Sequence, residues 1–224
     1  MVTDETCLPL QHDQLRILLA AGVRICPDAS RFAIGQADEE NGYINRLIRS
    51  GNTYLDLKSS RELWEGLAPW DPEIIESMER PVAKMRAPMY GLKRAVYDYE
   101  NGRNTICRDH GCEQDGPSIF VYQSTIDPAR SCIIGWVIDD LIAAGDVDAV
   151  KEFMHRVQQP TENTTGIVFK DTWQIVQAAA HAQSLHHIGI DISFWLDASG
   201  EAIHFKFDMQ DYAQALVGRI SNNM

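Results

Sequence analysis

Two adjacent carboxylates, Asp139 and Asp140, stand between mostly apolar runs, Cys132-Ile-Ile-Gly-Trp-Val-Ile before them and Leu141-Ile-Ala-Ala-Gly145 after them. Runs this short and this rich in β-branched residues predict two buried strands, so the two aspartates fall at the tight turn of a hairpin. Negative charge at the lip of an apolar layer must be compensated. Water at an exposed turn can do this, since Asp is a favoured turn residue, and so can a divalent cation. Other groupings carry less chemistry. Cys107-Arg-Asp-His110-Gly-Cys112 offers three soft ligands, but a structural zinc site takes four and no partner pair stands near; the stretch reads as a helix end and loop. His181, His186 and His187 lack the His-x-x-x-His spacing of a metal-binding helix face. Neither a phosphate-binding glycine loop nor a Gly-x-Ser-x-Gly elbow occurs.

The elements around the hairpin follow from periodicity and punctuation. A helix is expected over Asp13–Ala21, stopped by Gly22, then a strand-like piece over Val23–Cys26 and a strand over Asp28–Gln36 that opens on a carboxylate. Asp71-Pro72 starts a helix, with Asp as cap and Pro at the first position, ending before Pro81. A further helix is expected from about Arg94 to Cys107 and a strand over Ser118–Gln123. After the hairpin, Asp146 caps an amphipathic helix reaching about Gln159, with Val147, Val150, Phe153, Met154 and Val157 on one face. Ile167–Lys170 reads as a short strand and Thr172–Leu185 as a helix. His187–Leu196 and Ala202–Phe207 form a hairpin across Asp197-Ala-Ser-Gly200, and Asp208 caps a last helix. Strand pairs separated by helices, without βαβ alternation, indicate an α+β fold with an antiparallel sheet, the helices near 94–107 and 146–159 packed on one face.

With 224 residues, 45% apolar and 23% charged, the chain is long enough for one full core and ordinary for a soluble protein. No apolar run approaches the ~20 residues of a membrane span, and the N-terminus lacks the marks of a signal peptide. Five cysteines without regular spacing fit a reducing, intracellular compartment. A net charge of −12 is unusual for a nucleic-acid binder. Within it lies an island of five basic residues and no acid, Arg80, Lys84, Arg86, Lys93 and Arg94, which is either a phosphate-binding surface or a solvated loop.

The order of blocks resembles one family. Tyr90-Gly91-Leu92-Lys93 precedes a helix, and Ile119-Phe120-Val121-Tyr122 forms the next strand. Val137-Ile138-Asp139-Asp140-Leu141-Ile142 follows, then His187-Ile188-Gly189-Ile190-Asp191-Ile192 and Asp211-Tyr212. Together, over roughly 85–217, these resemble the copia-type retrotransposon reverse transcriptase. The resemblance implies a polymerase palm over 85–220, preceded by a divergent part, 1–84, holding partial fingers and the first palm strand. It implies RNA-directed DNA synthesis by two-metal nucleotidyl transfer, with Mg²⁺ or Mn²⁺ as cofactor and with template-primer and deoxynucleoside triphosphate as partners. Asp139 and Asp140 would hold the ions, and Lys84, Arg86, Lys93 and Arg94 would meet phosphate. The family's first carboxylate opens an Asp-Val-x-x-Ala-Phe segment. Asp28 in Asp28-Ala-Ser-Arg-Phe-Ala matches it best, Asp56 in Tyr-Leu-Asp-Leu being the rival, and its carboxylate should lie about 3–6 Å from that of Asp139. The family also places an aromatic five residues after this Asp; counted from Asp28, that position is Ala33. The fingers strands are missing or shortened. A truncated polymerase is thus expected, or alternatively a silent remnant acting as a binding module, with primer extension at or below detection.

Overall fold

Strands that are apolar on both sides can be buried only if both faces of their sheet are covered, and the computed structural model shows that arrangement. It describes residues 12–42, 54–65, 71–87 and 95–210. In chain order the elements are α1 (His12–Ile25), a 3₁₀ turn (Ala29–Arg31), β1 (Phe32–Asp38), β2 (Tyr54–Asp56), α2 (Arg61–Trp64), α3 (Pro72–Ser77), β3 (Val82–Lys84) and α4 (Ala95–Asp109). There follow β4 (Glu113–Gln114), β5 (Ile119–Gln123), β6 (Ser131–Val137), β7 (Asp140–Asp146), α5 (Val147–Arg156), β8 (Gln174–Gln177), β9 (Gln183–His187), β10 (Ile190–Leu196) and β11 (Ile203–Asp208). The class is α+β, and every strand pairing is antiparallel.

The main sheet runs β4-β5-β6-β7-β1-β8. The hairpin predicted around Asp139 forms, with Val137 opposite Asp140 and Cys132 opposite Gly145. On one face, Phe120, Tyr122, Ile134, Trp136, Leu141 and Ala143 pack with Ile106 and Cys107 of α4 and with Val150, Phe153 and Met154 of α5. On the other, Ile133, Ile142 and Ala144 pack with Leu15, Leu18 and Leu19 of α1 and with Ile192 and Phe194 of β10. Both expected helices thus share one face, and α1 with the three-stranded sheet β11-β10-β9 closes the other.

Two compact units partition the chain: 12–42 with 100–210 among the described residues, and Tyr43–Tyr99. β1 enters the main sheet between β7 and β8 and so joins the N-terminal segment to the C-terminal half. The second unit holds the β2–β3 ribbon, where Leu57 and Ile75 are buried with Leu55 and Ala83 against them. Asp71 caps α3 by accepting from Glu73 N–H at 2.9 Å, as its place before Pro72 predicted.

Other expectations are corrected by packing. Gly22 does not stop α1, which runs on to Ile25, so Val23–Cys26 is not a strand. A Cβ on Gly22 would stand 2.7 Å from Ala144 Cβ, so this glycine lets the helix approach β7. The helix expected over Thr172–Leu185 is instead β8 and β9: Ile175 and Val176 pair with Gly35 and Ile34 of β1, and edge pairing overrides local propensity. Ile167–Lys170 contributes only an isolated bridge, Glu39 to Phe169. The helix expected after Asp208 lies outside the described residues beyond 210, although Asp208 does accept from Gln210 N–H at 3.0 Å.

Candidate functional site

An antiparallel neighbour of a strand that begins at a turn must bring its own C-terminal end to that turn. β7 begins at Asp140, so the end of β1 lies beside it, and the register sets Asp38 directly opposite Asp140. Backbone pairing continues past the strand end, where Glu39 N–H donates to Asp139 C=O at 2.9 Å. Three carboxylates therefore stand at the same end of the sheet: Asp38 closing β1 opposite Asp140, which opens β7, and Asp139 on the turn. Like charges directly opposite in a sheet repel. Burial, then the charges of Asp139 and Asp38, push the Asp140 carboxyl up to about 6, against a lowering contribution from Lys170. Lys170 Nζ lies 3.4 Å from Asp38 Oδ2.

Asp28 is elsewhere. Six residue steps along β1 separate Phe32↔Asp146 from Asp38↔Asp140, about 20 Å at ~3.3 Å per residue, and Asp28 lies before Phe32. Its exposed carboxylate caps the 3₁₀ turn, accepting from Ser30 N–H at 2.9 Å and Ser30 O–H at 2.7 Å. These hydrogen bonds, the Ser30 hydroxyl foremost, hold it below the usual carboxylate range. Asp28 is thus not within reach of Asp139, and the carboxylate that the register brings to the turn is Asp38. A signal for Asp38 was present in the chain: Tyr43 stands five residues after it, at the aromatic spacing that Asp28 lacked. Tyr43 lies outside the described residues. Asp56, the rival, ends β2 in the second unit, where it accepts from the backbone N–H groups of Lys58 at 3.0 Å and Ser59 at 3.2 Å.

The basic island is described in part. Lys84 ends β3 and Arg86 follows it, both exposed in the second unit. Lys93 and Arg94, with the Tyr90-Gly91-Leu92 block, lie outside the described residues, as does Asp211-Tyr212.

Beside the carboxylates opens a cavity of about 280 Å³ lined by Asp38, Asp140, Gln36, Gln174 and His187, among others. His187 is 4% exposed, and its Nε2 makes no hydrogen bond. Burial, with a smaller contribution from His186, pulls its imidazole down to about 4, so it is neutral at pH 7. His186 faces Asp191, with Nδ1 2.7 Å from Oδ1.

Hard carboxylate oxygens are the donors that Mg²⁺ and Mn²⁺ take, and a carboxyl pushed up to about 6, by burial first and then by Asp139 and Asp38, is one whose ionised form a cation would stabilise. In donor type, carboxylate oxygen suits such ions. Among the described residues, no three acidic, histidine or cysteine side chains converge as they stand into a group that could hold one.

A pH dependence follows from Asp140. Its carboxyl titrates at about 6 against 3.8 for the ordinary group, so between these values the folded chain holds a proton that the unfolded chain has released. This contribution to stability is fully present below pH 4 and is lost as pH rises through 6. A displacement of this size corresponds to about 3 kcal/mol, which solvent at a half-buried position screens to about 1–2. Urea unfolding at pH 4.5 and pH 7.5 should show that loss in wild type and little of it in Asp140→Asn; equal pH profiles for the two would remove Asp140 as the source.

No family model matches this chain, and no curated protein matches it.

Proposed function

We propose that the chain is the palm of a copia-type reverse transcriptase, performing RNA-directed DNA synthesis by metal-assisted nucleotidyl transfer. The observation that carries this reading is the meeting of Asp38 with Asp140 across β1 and β7, next to Asp139 on the turn. Carboxylates on neighbouring strands are what a shared pair of cations requires, and Asp38 brings with it the aromatic at plus five. Divalent ions held there would supply positive charge to the attacking 3′-oxygen and to the leaving pyrophosphate. The residues of the chain do the rest. Asp38 and Asp140 present oxygens from two adjacent strands, and Asp139 adds a third carboxylate from the turn. Lys170, 3.4 Å from Asp38, partly balances their charge. Lys84 and Arg86, with Lys93 and Arg94 from the same basic island, would meet phosphate.

Primer extension on a homopolymer template is the test. It is expected at the edge of detection, because 32 acids against 20 bases disfavour a polyanionic template. Whatever extension is detected should be lost in Asp139→Asn and Asp38→Asn and persist in Asp28→Asn. Extension that survives Asp139→Asn, or is lost in Asp28→Asn, would sink the assignment. The acidic balance also favours a second reading, a palm that binds cations and partners without turnover; Mn²⁺ binding that needs Asp38 and Asp139, without extension at high enzyme concentration, would select it.

A further inference from the structure

Arg103 has no accessible surface, although a buried guanidinium is costly unless its five N–H donors are matched. It sits on α4 between Gly102 and Asn104. Its guanidinium reaches from the helix to the site hairpin. Cζ lies 5.4 Å from the centre of the Trp136 ring, next to the hairpin end of β6. Nη2 donates to Asn104 Oδ1 at 3.2 Å and to Ser118 Oγ at 3.4 Å, and Nη1 reaches the carbonyl of Ile138 at 3.4 Å.

Ile138 is the residue that needs holding. It has φ +55, a left-handed conformation that is a genuine outlier for a β-branched side chain, and such strain persists only where the surroundings over-determine it. The two successive carbonyls of the turn are each tied from one side: Asp139 C=O by Glu39 N–H at 2.9 Å and Ile138 C=O by Arg103. The first tie is backbone and comes with the β1–β7 register. The second comes from a side chain, Arg103 on α4.

We propose that Arg103 is a positioning residue for the carboxylate site: its buried guanidinium pins the Ile138 carbonyl, holds the turn in its strained form and thereby aims Asp139 and Asp140. This rests on the reading of Asp38, Asp139 and Asp140 as a cation site. The guanidinium ties α4 to the turn through the Ile138 carbonyl, with Asn104 and Ser118 holding its other side.

The test uses Arg103→Met, which keeps volume, and the double variant Arg103→Met/Ile138→Gly, in which glycine takes the positive φ without strain. Mn²⁺ binding is read by electron paramagnetic resonance, and backbone amide exchange by NMR. Arg103→Met should melt below wild type, since it removes a buried charge, and, measured where it is still folded, bind Mn²⁺ at least ~10-fold more weakly, the range seen when groups behind metal ligands are removed. Faster exchange should be confined to the hairpin amides at 137–141, and the double variant should recover most of the affinity. Unchanged affinity and exchange in Arg103→Met would overturn the proposal. So would weaker binding accompanied by exchange raised throughout the sheet and not rescued by Ile138→Gly, which is the signature of a purely structural residue. If wild type itself fails to bind Mn²⁺, the cation site falls, and the hairpin exchange alone then decides whether Arg103 holds the turn.

Discussion

Gly145→Ala should lower stability by about 3 kcal/mol or more, seen as a fall in Tm of roughly 6–12 °C for a chain of this size. Gly145 lies in the middle of the sheet, opposite Cys132 of β6 and Ala33 of β1. A Cβ there would stand 2.7 Å from Cys132 Cα and still nearer the Ser131 carbonyl oxygen, and both are backbone, so no side chain can swing away. The φ of +154 adds a conformation that other residues avoid. Gly200→Ala is the matched control: its φ is +76 but nothing lies within 4 Å of the new Cβ, so it should cost only about 1 kcal/mol. Equal, small effects at both positions would show that β6 can move away from β7, and the tight packing of the site hairpin would then lose its support.

The second large effect contrasts the two ends of β7. Asp146, like Asp140, is an aspartate ending a strand, but it is completely buried and compensated. Arg31 donates from Nε to Oδ2 at 2.7 Å and from Nη2 to Oδ1 at 3.2 Å, and Asp148 N–H donates at 2.9 Å to cap α5. Burial works against the charge, but the Arg31 bonds and the cap hold this carboxyl below its ordinary value. Asp146→Ala removes a cap and leaves Arg31 with Asp148 alone, for a loss of about 3 kcal/mol at pH 7. The sign is opposite to that of Asp140: the contribution is present above the ordinary carboxylate pKa of 3.8 and is lost as pH falls below it, so the gap between wild type and variant should narrow as pH falls through that range. Asp140→Asn, relieving repulsion, should match or exceed wild type in stability at pH 7.5. Comparable losses in both variants would mean that Asp140 is a structural carboxylate like Asp146, and the case for a site at that end of the sheet would fail.

Such a difference in charge compensation cannot be read from a sequence in which both residues are simply Asp. What the sequence could determine was local. The apolar runs around Asp139-Asp140 fixed a buried hairpin, because period and β-branching follow from neighbours along the chain. The caps at Asp71 and Asp146 were legible for the same reason, as was the antiparallel α+β class. Register between distant strands was not. Asp28 and Asp38 both flank the same strand, and choosing between them requires knowing which end of β1 meets the hairpin turn. That follows only from its antiparallel pairing with β7. The same limit hid β8 and β9, whose glutamine- and alanine-rich segments favour a helix until β1 offers an edge, and it hid the role of Gly22, which only the approach of Ala144 explains. Arg103 is the extreme case. Nothing in Gly-Arg-Asn marks a buried charge, and only the folding of α4 under β5 and β6 places its guanidinium beneath the strained carbonyl of Ile138. Long-range pairing decides what a carboxylate or a guanidinium faces, and what it faces sets its charge and its chemistry.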